Sequence, residues 1–377
     1  MEEAGAKIIK LNIGNPAPFH FDTPETLLSQ LREHLQDAQG YSDSRGLLEA
    51  RRAIQKYHME KGVEGLTLDN IFTGNGVSEM IITSMQAFID RGDEILLPAP
   101  DYPLWSSAVC LTGGTPVHYI CDERSNWYPD IEDMKSKITQ NTKGIVIINP
   151  NNPTGALYPR EVLEQIAQVA RENNLIIFAD EIYDRLVMDG KEHVSIASVA
   201  PDLFIVVYNG LSKSHLATGF RSGWMCMCGD TECAKDYISG VRLIASMRLC
   251  SNVPAQIMIP EALEDAYATQ ALYRPGGRIY EQREFIYRAL NEIDGVSAVK
   301  PDAAFYIFPK IDTERFHITD DEKFAFDLLR ATNVLIVQGS GFNWKDPDHF
   351  RIVYLPEKAE LQQATERLAD FLKTYRQ

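Results

Sequence analysis

Positive charge is what this sequence is short of: 37 Lys and Arg stand against 53 Asp and Glu, a net of −16. A surface that acidic repels nucleic-acid phosphates and anionic lipid headgroups, so neither is an expected partner. Long apolar runs are missing as well. None approaches the roughly 18 residues that span a bilayer, and no membrane segment is expected. The first residues, Met1–Gly5, have neither a basic region nor an apolar one, so no secretory signal is expected. Cysteines are few and unordered: 110, 121, 226, 228, 233 and 250, with no Cys-x-x-Cys pair. They read as reduced thiols of a cytoplasmic enzyme. Cys226-Met227-Cys228 lies in an apolar run without a nearby histidine and is not read as a metal site. Repeats, low-complexity tracts and blocks of like charge are lacking too.

What remains is an ordinary globular composition, 45% apolar and 24% charged over 377 residues. At roughly 150 residues per domain, about two domains are expected. Short apolar runs read as strands: 71–73, 94–98, 116–120, 144–148, 175–179, 204–208 and 223–227. Most are continuously apolar, as in a largely parallel sheet covered on both faces. Helical patterns lie at 47–61, 78–90, 102–111 and 159–172. In the last, Val162, Leu163, Ile166, Ala167, Val169 and Ala170 form one stripe, and Pro159 suits the first turn. This alternation predicts an α/β sandwich around a mostly parallel seven-stranded sheet. After Gly229 the texture changes, with a breaker at Arg274-Pro275-Gly276-Gly277 and then a smaller α+β pattern. The expected division is a large domain over 41–280 and a small discontinuous one from 1–40 and 281–377, with 1–40 packed against the latter.

The polar residues of interest sit at strand ends, the edge of an open α/β sheet where ligands bind. Lys213, in Asn209–Leu216, is flanked by leucines. A desolvated lysine there has a lowered pKa and acts as a nucleophile; the ordinary alternative is a surface lysine. Asp180 ends an apolar strand and needs a cation or donors, unless it caps a helix. Asn149–Gly155 is a rigid turn, which can be no more than that or can aim an Asn amide into a cleft. The loop Thr73–Glu79 offers Gly76, Val77 and Ser78 to an anion at a helix start, the alternative being a capping box begun by Ser78. Arg221 and Arg351 lie in apolar surroundings, each suited to a carboxylate or phosphate unless a structural salt bridge claims it. Together these groups fit pyridoxal 5'-phosphate, which needs a lysine, a carboxylate for its ring nitrogen and an anion cradle.

The whole chain resembles the fold-type I pyridoxal-phosphate aminotransferases of class I/II. Residues 9–20, 98–104, 209–224 and 245–256 are most similar to the bacterial glutamate–pyruvate (alanine) subgroup. The resemblance implies transamination between L-alanine with 2-oxoglutarate and pyruvate with L-glutamate. It implies that Lys213 carries the cofactor as a Schiff base and moves protons. Asp180 would pair with the ring nitrogen, and Asn152 and Tyr183 would bond the ring 3'-oxygen. Tyr102 would stack on the ring. Gly76, Val77, Ser78 and Arg221 would bind phosphate. Arg351 would clamp the substrate carboxylate, with Asn152 beside it and the Gly14 backbone above. Tyr41 would reach the phosphate of a neighbouring subunit, implying a homodimer. Cis bonds are implied before Pro100 and Pro153.

The sequence departs from that pattern in places. Gly210 stands where many relatives have Ser or Thr, leaving Ser212 as the substitute ligand. The late loop reads Gln338-Gly339-Ser340-Gly341, as in the alanine-type subgroup. Relatives carry a further arm before Ile13–Pro16, so this sequence is expected to be a shortened form. Arg45 and groups of the partner subunit are candidates for the glutamate γ-carboxylate. The same cofactor would also serve a β-lyase or an aromatic- or aspartate-type transaminase. A non-catalytic regulatory module on this fold would bind DNA, against which the −16 charge argues.

Overall fold

The computed structural model describes residues 1–265 and 268–377. All seven expected strands form, in one sheet. Their order is Ile71–Asn75, Ser222–Cys228, Ile205–Gly210, Ile176–Asp180, Thr142–Ile148, Glu94–Ala99 and Thr115–Asp122. An eighth strand, Tyr128–Pro129, extends the edge antiparallel to Thr115–Asp122. The expectation of seven missed it because two residues carry no period and proline cannot donate to a ladder. The last five of the seven are parallel. Ser222–Cys228 runs antiparallel to both its neighbours.

The unbroken apolar runs follow from burial on both faces. Ile145, Ile147, Ile177 and Val207 pack into one core with Leu163 and Ile166 of helix Arg160–Asn173. Val146, Ile148, Phe178 and Val206 face the other way, onto Met80 and Ile81 of helix Val77–Phe88. Pro159 is the N-cap of its helix, one position before the expected first turn.

A third core lies apart from the sheet. It includes a three-stranded sheet in which Tyr306–Ile307 and Val337–Gln338 pair antiparallel with Phe350–Val353 in the middle. Helices Arg278–Asn291, Asp321–Thr332 and Lys358–Thr374 contribute Ile286, Leu328 and Leu361. Ile9, Leu11 and Phe21 join this core, and Ile9–Lys10 pairs with Val334–Leu335. Leu27 of helix Glu25–Glu33 packs instead into the core under the large sheet.

Register is what assembles the site. Ile148 lies opposite Asp180, and Asp180 opposite Tyr208. Two of these parallel strands therefore end level and the third runs on two residues to Gly210, so the turns after them emerge side by side at one edge. Gly74 and Gly210 both pair with Gly223, bringing the 74–79 loop to the same edge.

Candidate active site

That edge borders a cavity of about 430 Å³. Gly14, Val77, Ser78, Tyr102, Asn152, Asp180, Tyr183, Ser212, Lys213, Arg221 and Arg351 all line it. Eleven expected residues, spread from position 14 to 351, thus converge on one space. Gly76 stands just behind, as the N-cap of helix Val77–Phe88 at φ +83°. A Cβ there would run into the Arg221 guanidinium, so only glycine lets the loop and the arginine close together.

Lys213 sits on the four-residue helix Leu211–Ser214 rather than in an open loop. Its Nζ donates to the Gly14 carbonyl at 2.8 Å. Burial, together with the Arg351 and Arg221 charges, brings its pKa down to about 8. Asp180 accepts from Ile182 N at 3.3 Å and Trp105 Nε1 at 3.4 Å, and no helix starts at it. Burial pushes its carboxyl up to about 6. Arg351 is 8% exposed. It donates to Asn152 Oδ1 at 3.0 Å and to the Asn12 carbonyl at 2.5 Å, and its plane faces the Phe342 and Tyr306 rings. Its Nε has no partner. Arg221 donates to the Thr218 carbonyl at 2.9 Å and to Ser212 Oγ at 3.4 Å. Neither arginine has a carboxylate partner among the described residues, so the structural salt bridge is not their reason to be here. Ser78 does not open a capping box, for no side chain caps its helix. Glu79 instead reaches back to Asn75 N at 2.6 Å and braces the loop.

Other expectations fall elsewhere. Tyr41 is 82% exposed and outside the cavity wall. Arg45 is also outside this chain's cavity wall and pairs with Asp43 at 3.0 Å and Asp69 at 2.5 Å. The bond before Pro100 is cis, but the second cis bond precedes Pro150, not Pro153. Asn152-Pro153 lies inside a turn closed by Asn151, whose Oδ1 accepts from Thr154 N and Oγ1.

Four contributors escaped the sequence reading. Tyr306 lines the cavity and shares a 3.0 Å hydrogen bond with the Tyr183 hydroxyl. Trp105 braces Asp180 from helix Leu104–Leu111. A phenol or indole inside an apolar run needs a polar partner, which was the available signal. Thr218 and Asn15 line the cavity and bond each other at 3.1 Å, with no local pattern to mark them.

An amine of lowered pKa, a buried carboxylate, a helix N-terminus at the cavity wall and a guanidinium without a carboxylate partner among the described residues suit a phosphate-bearing cofactor and a carboxylate substrate. Residues 6–368 match the family model for aminotransferase class I and II. The chain is 53% identical to the glutamate-pyruvate aminotransferase AlaA of Escherichia coli K12, covering all of this chain and 93% of that protein. An alanine aminotransferase of Mycobacterium bovis is 50% identical, with 100% and 88% covered. Among solved structures, an aminotransferase from Escherichia coli superimposes with a TM-score of 0.99 at 53% identity, over 100% of this chain and 93% of that one. The chain belongs to the class I and II aminotransferases.

Proposed function

We propose that this aminotransferase interconverts L-alanine plus 2-oxoglutarate and pyruvate plus L-glutamate, using pyridoxal 5'-phosphate held by Lys213. One observation carries the reading: Lys213, Asp180 and Arg351 converge on a single cavity with neither cation paired to a carboxylate among the described residues. The names of the Escherichia coli and Mycobacterium bovis relatives support this substrate pair.

The residues present fit the cofactor. Arg221, Ser212 and the backbone of Val77 and Ser78 would hold the phosphate, in the cradle that Gly76 leaves open. Asp180 would accept the ring N–H, Asn152 and Tyr183 would donate to the 3'-oxygen, and Tyr102 would cover the ring face. Pyridoxal phosphate supplies the sink for the electron pair left on the substrate Cα. Lys213 is the point of attachment and then the base. At a pKa of about 8, a useful share of its amine is neutral near pH 7 and takes the Cα proton. The unpartnered Nε of Arg351 belongs to a fork able to grip the α-carboxylate, beside Asn152 and beneath the Gly14 backbone. Tyr41 of each chain would reach the phosphate site of its partner, making a cytoplasmic homodimer with shared sites. A division into 41–280 and a discontinuous unit of 1–40 and 281–377 is supported by the core that gathers Ile9, Leu11 and Phe21 with most apolar residues of 279–372, which also takes in apolar residues of 182–188 and Leu216 where the two units meet.

A coupled pyruvate and glutamate assay over a panel of amino donors tests the substrate pair. Turnover of alanine with 2-oxoglutarate is expected, and its absence while other donors react would overturn the assignment.

A further inference from the structure

Behind the cavity lies a polar cluster, none of whose side chains lines the cavity itself. Asp184 Oδ2 accepts from Lys61 Nζ at 2.6 Å, from Asn209 Nδ2 at 2.8 Å and from the Tyr57 hydroxyl. Lys61 Nζ also meets His193 Nδ1 at 3.0 Å, and His193 Nε2 meets the Asn149 carbonyl at 3.1 Å. An ammonium only donates and a carbonyl only accepts, so one tautomer of neutral His193 satisfies both contacts. Burial holds that imidazole neutral, at about 3. Asn209 Oδ1 in turn accepts from Gly210 N at 2.7 Å. Glu181 takes the Ser195 hydroxyl at 2.8 Å and stands 3.9 Å from Lys61. Arg185 lies over the Tyr57 ring at 4.7 Å.

Each contact ends on a different segment of the site. Asp184 follows Tyr183, Asn149 opens the turn that presents Asn152, and Asn209-Gly210 leads directly into the helix that carries Lys213. The ammonium at the C-cap of helix Leu48–Glu60 is therefore linked to three strand-end segments, through Asp184 to Asn209 and through His193 to Asn149. The Asp184 side chain is 1% exposed. Stability alone does not explain such a pair, because desolvation roughly offsets the attraction and apolar residues would fold as well.

We propose that Lys61 and Asp184 are positioning residues for transamination, holding the Tyr183, Asn152 and Lys213 segments at fixed spacing across the cavity. The proposal rests on Lys213 being the cofactor lysine. The test is the double variant Lys61→Met/Asp184→Asn, which removes both charges of the pair together and leaves buried Glu181, 3.9 Å from Lys61, without that cation. The variant still folds and melts in one transition, at a lower temperature on account of the unpaired Glu181, while kcat falls about tenfold and amino-acid KM stays within about threefold. The induced circular dichroism of bound pyridoxal phosphate weakens, and release of the cofactor from the holoenzyme quickens. Wild-type kcat, dichroism and release in that folded variant would make the pair merely structural and overturn the proposal. Tyr57→Phe deletes the hydroxyl's two hydrogen bonds, to Asp184 and from Arg185 Nε, and no charge, and covers the case in which the double variant does not fold. It shows the same pattern at about two- to threefold, and wild-type values there equally overturn the proposal. If the unmutated chain takes no pyridoxal phosphate on Lys213, the underlying reading falls and the proposal with it. If it loads normally and the variants match it, only the positioning claim falls.

Discussion

Lys61 and Asp184 touch at 2.6 Å, whereas Lys213 and Asp180 share a cavity and form no ion pair. The same two residue types, in neighbouring parts of one interior, titrate in opposite directions. The attraction of Asp184 holds the Lys61 ammonium above its ordinary pKa, and Lys61 holds Asp184 below its own. Burial without pairing brings Lys213 down to about 8 and Asp180 up to about 6. A paired charge is chemically quiet and serves as scaffold. An unpaired one costs stability and is available for chemistry.

The comparison can be broken at four points. The largest effect is Lys213→Ala, which lowers transamination by about 10⁴-fold or more in a steady-state assay, because nucleophile and base vanish together. Next, Lys61→Met leaves Asp184 buried without its cation. It destabilises the fold by about 3 kcal/mol in denaturant titration, and a neutral result would show that the pair is not coupled. Arg351→Lys keeps a charge but loses the planar fork. Amino-acid KM rises about 10- to 100-fold with a smaller change in kcat, and unchanged KM would make Arg351 structural.

The smallest effect has a sign of its own. The folded pKa of Lys213, about 8, lies below its unfolded value of 10.5. Between those pH values the unfolded chain holds more protons, so stability rises with pH, and the penalty is fully present below about 8. By calorimetry, cofactor-free Lys213→Met therefore melts above the wild type at pH 7. The gap closes as pH climbs from about 8 toward 10.5. A variant that melts lower at every pH would contradict the unpaired-lysine account.

The cavity was more legible in the sequence than the scaffold behind it. Lys213, Asp180 and Asn152 stand at the ends of apolar runs, where a polar residue contrasts with its surroundings and the sheet edge gives it meaning. Lys61 and Asp184 are 123 residues apart and each sits in ordinary polar company, so nothing local announces their contact. The same limit hid Tyr306, whose strand reads as plain core. It also left the two Asn-Pro steps indistinguishable: only the Asn151 turn, formed in three dimensions, separates them. The seven longer strands were visible because burial on both faces writes an unbroken apolar run, and Tyr128–Pro129 was not because it is two residues long.

The contrast between the two lysines is tested most directly by incubating the protein with pyridoxal 5'-phosphate, reducing with borohydride and mapping the modified peptide by mass spectrometry. The account predicts one label per chain, on Lys213, with Lys61 untouched. A label on Lys61 or elsewhere, or none at all, would contradict it.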